Sequence, residues 1–178
     1  PGELVVDPAC GTGGFLLVAH DYLTGNFRLD KDQKRHLRFE ALRGIDIVDG
    51  VARLCAMNLF LHGIGPDDDR QTPPIQTDDA LRNEPSVRAD VVLTNPPFGR
   101  KSSITVVNEE GETGRQGVTY NRPDFWTTTS NKQLNFVQHV KTLLTVGGTA
   151  AVVVPDNVLF EGGAGETIRR RLLHECDV

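Results

Sequence analysis

The chain has 178 residues, 38% of them hydrophobic and 24% charged, with a formal net charge of −5. That is enough chain to bury one real core, and the acidic balance speaks against a stand-alone nucleic-acid binder, whose phosphate contacts need a basic surface. No apolar run approaches a membrane span, and three dispersed cysteines with five scattered histidines suggest neither a disulfide framework nor a metal site. A reducing cytoplasm is the default location. The opening "PGELVVD" carries no methionine and no signal-like lead, and reads as a piece of something longer.

In chain order, a strand is expected at 3–7 (ELVVD), then a glycine turn and a helix at about 13–24. A charged amphipathic helix follows at 31–40, and a second strand at 42–47 (LRGIDI). The next helix, 49–62, has a broad apolar stripe of Val51, Leu54, Cys55, Leu59 and Leu61. A weaker strand at 74–77 (PIQT) comes after the acidic "GPDDDR", and another strand occupies 90–94 (DVVLT), ended by Pro96. Residues 99–130 show no sustained period and are expected to form a mobile functional loop. A helix at 131–145, with Gly147-Gly148 as its stop, leads to a strand at 149–155 and a last helix at 164–175. The strands are apolar without alternation, which suits strands covered on both faces. The expected fold is α/β: a doubly wound, mostly parallel sheet in a single domain spanning 1–178.

The first strand runs into "DPACGTGGF" (7–15). Glycines 11, 13 and 14 remove side chains where strand turns into helix, so that a ligand can approach the backbone. The pattern is neither G-x-G-x-x-G nor a P-loop, and no lysine or arginine occurs between residues 1 and 27. A polyphosphate would find nothing to balance it. Asp7 would instead attract a cationic, ammonium-bearing ligand, and S-adenosylmethionine is of that kind. Asp46, at the end of the second strand, can accept both hydroxyl protons of a ribose. After the third strand, "TDDAL" offers Asp78 and Asp79, either of which could meet an adenine amino group. A plain tight turn, a helix cap and a solvated turn are the bland readings of these three features.

Strand-end acid, glycine turn, two further strand-end acids and then Asn-Pro-Pro-Phe form a specific set. It resembles the amino-methylating, S-adenosylmethionine-dependent DNA methyltransferases, and more narrowly the modification (M) subunit of type I restriction–modification systems. "VVDPACGTGGFLLVA", "LTNPPFG" and the spaced run "NFVQHVKTLL…GGTAAVVVPDNVLFEGGAGETIRRRLL" carry the resemblance over nearly the whole chain. It implies a sheet of the S-adenosylmethionine-dependent methyltransferase type, truncated at both ends. The family's N-terminal helical domain and last strands are then absent, and the isolated fragment is expected to be inactive. It implies a cofactor loop of Asp7, Pro8, Ala9, Cys10, Gly11, Thr12, Gly13, Gly14 and Phe15. Asp46 with Ile47 would take the ribose, Asp79 with Ala80 the adenine, and Asn95, Pro96, Pro97 and Phe98 the catalysis. DNA, reached through a specificity subunit, and a restriction subunit would be the partners, with no membrane involved.

The chemistry asks for those residue types. An adenine amino group is a poor nucleophile because its lone pair is delocalised into the ring. Two acceptors aimed at its N–H bonds, the Asn95 side-chain oxygen and the Pro96 carbonyl, free that lone pair if the turn is rigid. Two prolines make it so, and Phe98 offers a flat face to a base taken out of its stack. Placement of two reactants can contribute roughly 7–11 kcal/mol, against roughly 3–5 kcal/mol for a general base, so a site without a histidine or glutamate base is credible. Two rival readings remain at this stage. The same turn could methylate a protein glutamine amide or an RNA exocyclic amine, or the chain could be a non-catalytic cofactor-binding scaffold.

Overall fold

Apolar residues with few breakers make the centre of the sheet. Val5, Val6 and Asp7 form β1 (Val5–Asp7), all three buried. On one side β1 pairs in parallel with β2 (Leu42–Asp46), Val5 opposite Leu42, and β2 pairs with the short β3 (Ile75–Thr77). On the other side it pairs with β4 (Ala89–Thr94), Val5 opposite Val91, and β4 pairs with β7 (Leu144–Val152). The order is therefore β3-β2-β1-β4-β7, parallel throughout, with β7 at an edge. This computed structural model describes residues 1–66, 72–98, 103–107, 113–117 and 119–178, with the backbone alone at 103–107 and 113–117.

The described residues fall into two compact units, each discontinuous in sequence. The first comprises Pro1–Ala80, Pro85–Pro96 and Leu143–Val153, and holds the five-stranded sheet. With it go helices α1 (Gly14–Asn26), α2 (Lys31–Phe39) and α3 (Asp49–Leu61). Leu16, Leu37, Leu42, Ala52, Cys55 and Leu59 belong to one buried apolar cluster of this unit. Each fully buried leucine contributes roughly 1.5–3 kcal/mol relative to exposure. The charged α2 is held at its start by a capping box: the Gln33 N–H donates to Asp30 Oδ1 at 2.8 Å, and the Asp30 N–H to Gln33 Oε1 at 3.1 Å.

The expected strand at 149–155 begins earlier, at Leu144, and Gly147-Gly148 lies inside it rather than ending the helix before it. The reason is a register shift. Leu144 faces Ala89, but the next partners are Val91 and Thr149, so the intervening residues of β7 bulge out. Gly147 takes a φ of +82°, and a Cβ on Gly148 would come within 2.9 Å of the Asp90 carbonyl oxygen.

The second unit comprises Leu81–Glu84, Pro97–Thr142 and Val154–Val178. Residues 99–130 are not one aperiodic loop. They include an antiparallel hairpin of β5 (Ser103–Val107) and β6 (Thr113–Gly117), whereas 99–102, 108–112 and 118 lie outside the described residues. Downstream come α4 (Lys132–Leu143), α5 (Asp156–Phe160) and α6 (Ala164–Glu175). The small core of this unit is Leu134, Val158 and Ile168, with Trp126, Val137 and Leu172 packed against it.

Helix α4 also buries polar side chains, and they grip the segment before it. The Thr127 N–H donates to Gln138 Oε1 at 3.0 Å, and Gln138 Nε2 donates back to the Thr127 carbonyl at 3.1 Å. Asn135 Nδ2 donates to the Thr129 carbonyl at 2.9 Å. Backbone that would otherwise need strand or helix partners is thus satisfied by side chains. Among the described residues no helix is long and apolar enough to cross a membrane.

Candidate active site

Because all five strands run the same way, their carboxyl ends share one edge, where open α/β sheets place ligands. Asp7 ends β1, Asp46 ends β2, Asp78 and Asp79 follow β3, and Asn95 follows β4, all within the first unit.

Asp7 is 1% exposed. Its carboxyl Oδ1 accepts the Ala9 N–H at 3.0 Å. Burial pushes its pKa from 3.8 up to about 6; the Thr94 side chain and the Ala9 N–H pull it back, and the Asp46 carboxylate pushes it further up. Thr94 Oγ1 is itself buried, and its approach to Asp7 falls short of a well-formed hydrogen bond. A carboxylate held in so dry a place favours a cation as its neighbour.

Asp46 organises the glycine turn. Its Oδ2 accepts the Gly11 N–H at 3.1 Å and its Oδ1 the Val48 N–H at 2.8 Å. The loop is tied down further by the Cys10 N–H to the Ile45 carbonyl at 3.0 Å, and by Asn58 Nδ2 to the Thr12 carbonyl at 2.9 Å. Gly13 precedes α1 with a φ of +89°, and a Cβ there would meet Cys55 Sγ at 2.8 Å. Gly14 has an ordinary φ and open space around its missing side chain, so its absence leaves room above the first turn of α1 rather than permitting the turn. That first turn has no side-chain cap, which leaves backbone N–H groups for an anionic group of a ligand.

Cys10 is 5% exposed and belongs with Cys55 to the buried apolar cluster. Its thiol is pushed well above the ordinary range by hydrogen bonding with Cys55 and by burial, which suits a packing residue and not a nucleophile. Pro8 is buried, Ala9 half-buried, and Ile47 is exposed beside Asp46. The Asp78 N–H donates to the Asp46 carbonyl at 3.1 Å, and Asp79 and Ala80 follow, both half-buried. Asn95 is exposed and Pro96 buried; the Val153 N–H donates to the Thr94 carbonyl at 3.0 Å, fixing the strand end from which they emerge. Pro97 and Phe98 belong to the second unit, and Phe98 is 53% exposed.

Phe15, in the first turn of α1, is 39% exposed. It lines an apolar groove of about 330 Å³ together with Val18, Tyr22, Leu37 and Val91, and none of Asp7, Gly11 or Asp46 borders that groove. Sequence reasoning also missed Asn58, Thr94 and Cys55. Asn58 and Cys55 lie on α3, whose buried residues are Ala52, Cys55 and Leu59, while Leu54 and Leu61 of the expected stripe are exposed, and the contacts with the glycine loop require the tertiary fold. Among the described residues, no group of three or more His, Cys, Asp or Glu side chains is arranged to hold a metal ion.

Comparison with known proteins gives the family and the fold. The family model described as N-6 DNA Methylase matches residues 1–178. The methylase subunit of the type I restriction enzyme StySPI from Salmonella potsdam is 40% identical, over 99% of this chain and 31% of its own length. The EcoKI methylase subunit of Escherichia coli K12 gives the same figures. The crystal structure of the EcoKI M protein superposes with a TM-score of 0.78 at 40% identity, covering 96% of this chain and 33% of that one. A Listeria monocytogenes protein described as a class I S-adenosylmethionine-dependent methyltransferase shares the fold, with a TM-score of 0.56 at 18% identity. The chain spans about a third of the length of the curated relatives it matches. The five-stranded parallel sheet is the α/β sheet of S-adenosylmethionine-dependent methyltransferases, and the chain belongs to the N-6 DNA methylase family.

Proposed function

We propose that this chain is the catalytic core of a DNA methyltransferase that transfers a methyl group from S-adenosylmethionine to the N6 amino group of adenine. The observation that carries the reading is the common strand edge, which brings Asp7, Asp46, Asp78–Ala80 and Asn95 to one side of the sheet beside a glycine turn, with no lysine or arginine between residues 1 and 27. The residues fit the cofactor. Asp7 would face its cationic end, the uncapped start of α1 its carboxylate, Asp46 its ribose, and Asp79 with Ala80 its adenine. When bound, S-adenosylmethionine supplies an activated sulfonium methyl.

The protein's task is then to prepare the acceptor. Asn95 Oδ1 and the Pro96 carbonyl accept the two N–H bonds of the target amine and hold its lone pair in line with the methyl. Pro96 and Pro97 stiffen the turn, and the ring of Phe98 stacks on the extruded base. The proton leaves after the methyl arrives, by way of Asn95 or solvent. Similarity to type I methylase subunits supports a cytoplasmic assembly in which a specificity subunit reads the DNA and a restriction subunit shares the complex.

The test is transfer of labelled methyl to DNA by the full-length protein and its Asn95→Ala variant, in the assembled enzyme. The variant is expected to lose at least about 10²-fold in turnover, the scale of removing one preorganised charge-stabilising group, while still binding the cofactor. Label found in protein or RNA instead of DNA, or an undiminished rate in the variant, would sink the reading.

A further inference from the structure

The glycine loop is gripped from a helix as well as from the sheet, and all the residues concerned belong to the first unit. On the sheet side, the Cys10 and Gly11 N–H groups donate to the Ile45 carbonyl and to Asp46 Oδ2, both on β2. The other grip comes from α3. Asn58 Nδ2 donates to the Thr12 carbonyl at 2.9 Å; since a carbonyl can only accept, the amide atom that faces it is the nitrogen. One turn earlier on the same helix, Cys55 is fully buried, and its Sγ lies 2.8 Å from where a Cβ on Gly13 would stand. Residues three apart share a helix face, so Cys55 and Asn58 meet the loop side by side.

The Asn58 bond falls where the loop is least constrained by its own residue types. Gly11 and Gly13 take φ of +54° and +89°, and neither has a side chain to resist rotation of the peptides around Thr12. The Thr12–Gly13 peptide is fixed instead through its two polar ends. Its N–H, that of Gly13, donates to the Cys10 carbonyl at 2.8 Å, and its carbonyl accepts from Asn58. Thr12 is exposed, so water could satisfy the same carbonyl. What water could not supply is a fixed direction. That direction matters because Gly13 directly precedes α1, whose first turn has no side-chain cap. An apolar residue would be tolerated on a helix that already exposes Leu54, Met57 and Leu61, but it could not donate.

We propose that Asn58 is a positioning residue for the cofactor, holding the Thr12–Gly13 peptide in the orientation that leaves the start of α1 open to the ligand. The inference rests on the reading of the glycine loop given under the proposed function. Asn58 acts through the loop backbone, so its effect falls on cofactor affinity and not on the transfer step.

Three variants of the full-length protein test this: Asn58→Leu, Asn58→Asp and, as a control, Leu59→Val in the buried apolar cluster beneath the same helix. S-adenosylmethionine affinity is measured by calorimetry, and KM and kcat with DNA by label transfer. Both Asn58 variants lose the donor, and Asn58→Asp keeps the shape of the side chain should Asn58→Leu fail to fold. In each, Kd and KM for S-adenosylmethionine should rise about two- to tenfold, the effect of losing one hydrogen bond between uncharged groups. The rise comes from a smaller population of loops ready to bind. At saturating cofactor kcat stays within about twofold, the pattern of lost ground-state binding, and Leu59→Val lowers thermal stability with no change in Kd. A parent that binds S-adenosylmethionine and Asn58 variants that bind it equally well would overturn the inference and leave the site reading intact. A lower kcat at unchanged KM would do the same, and so would a Kd raised equally in Leu59→Val. A folded parent without affinity for S-adenosylmethionine would remove the site reading and the inference together.

Discussion

Replacing Asp7 by asparagine is expected to make the folded protein more stable at neutral pH while weakening its grip on a cationic ligand. The folded protein binds the Asp7 proton more tightly than the unfolded chain does, because burial raises the pKa from 3.8 to about 6. Native protonation therefore exceeds unfolded protonation between those values, and stability falls as pH rises through that window. Well below pH 3.8 the carboxyl is neutral in both states and costs nothing. Above about pH 6 the penalty is complete, and at 1.36 kcal/mol per factor of ten in proton affinity it amounts to ~3 kcal/mol. Asparagine has nearly the same shape, and its carbonyl can still accept the Ala9 N–H that Asp7 Oδ1 accepts at 3.0 Å. Urea unfolding at pH 4, 6 and 8 measures the effect without cofactor. The variant should exceed the parent by no more than about 0.5 kcal/mol at pH 4 and by up to ~3 kcal/mol at pH 8. A variant less stable than the parent at pH 8, or a difference that does not change with pH, would refute the reasoning.

Two further outcomes follow from the glycine turn. Asp46→Asn leaves one acceptor where the Gly11 and Val48 N–H groups now use two. It should raise the calorimetric Kd for S-adenosylmethionine by roughly 10–100-fold, the scale of about 1–3 kcal/mol for an unsatisfied donor; unchanged affinity would remove Asp46 from the site. Gly13→Ala forces a side chain into a left-handed conformation at about 1–2 kcal/mol, and adds a clash with Cys55 Sγ 2.8 Å from the new Cβ. Combining it with Cys55→Ala should recover only the clash in urea unfolding, and full recovery would show that the backbone conformation carries no cost.

Where one physical signal dominated, the sequence was readable. β1, β2 and β4 are short apolar runs whose ends carry acids or Asn-Pro, so both the strands and the edge they present could be seen without coordinates. Asp46 was legible as a strand-end acid, but its part in tying down Gly11 was not, since that bond joins residues brought together by β1–β2 pairing. Gly147-Gly148 misled because two glycines after a helical stripe look like a stop, whereas a bulge against Asp90 requires them. The five-residue α5 is too short to show a period. On α4, Asn135, Gln138 and His139 look like a solvent face in sequence, yet they are buried because an irregular segment needs hydrogen-bond partners.

The parallel order of the sheet also governs how the protein comes to exist. β1 sits at the centre, and both its neighbours lie much later in the chain, with Val5 opposite Leu42 on one flank and Val91 on the other. Non-local parallel pairings of this kind form slowly, because the intervening chain must be closed before any contact rewards it. On the ribosome β1 emerges well before β4, and the flank that β4 will cover stays unpaired until then. Asp7 and Asn95 share an edge only once that pairing closes, so this edge cannot assemble before β4 does. A ligand that recognises the finished edge can retard unfolding but cannot hasten folding.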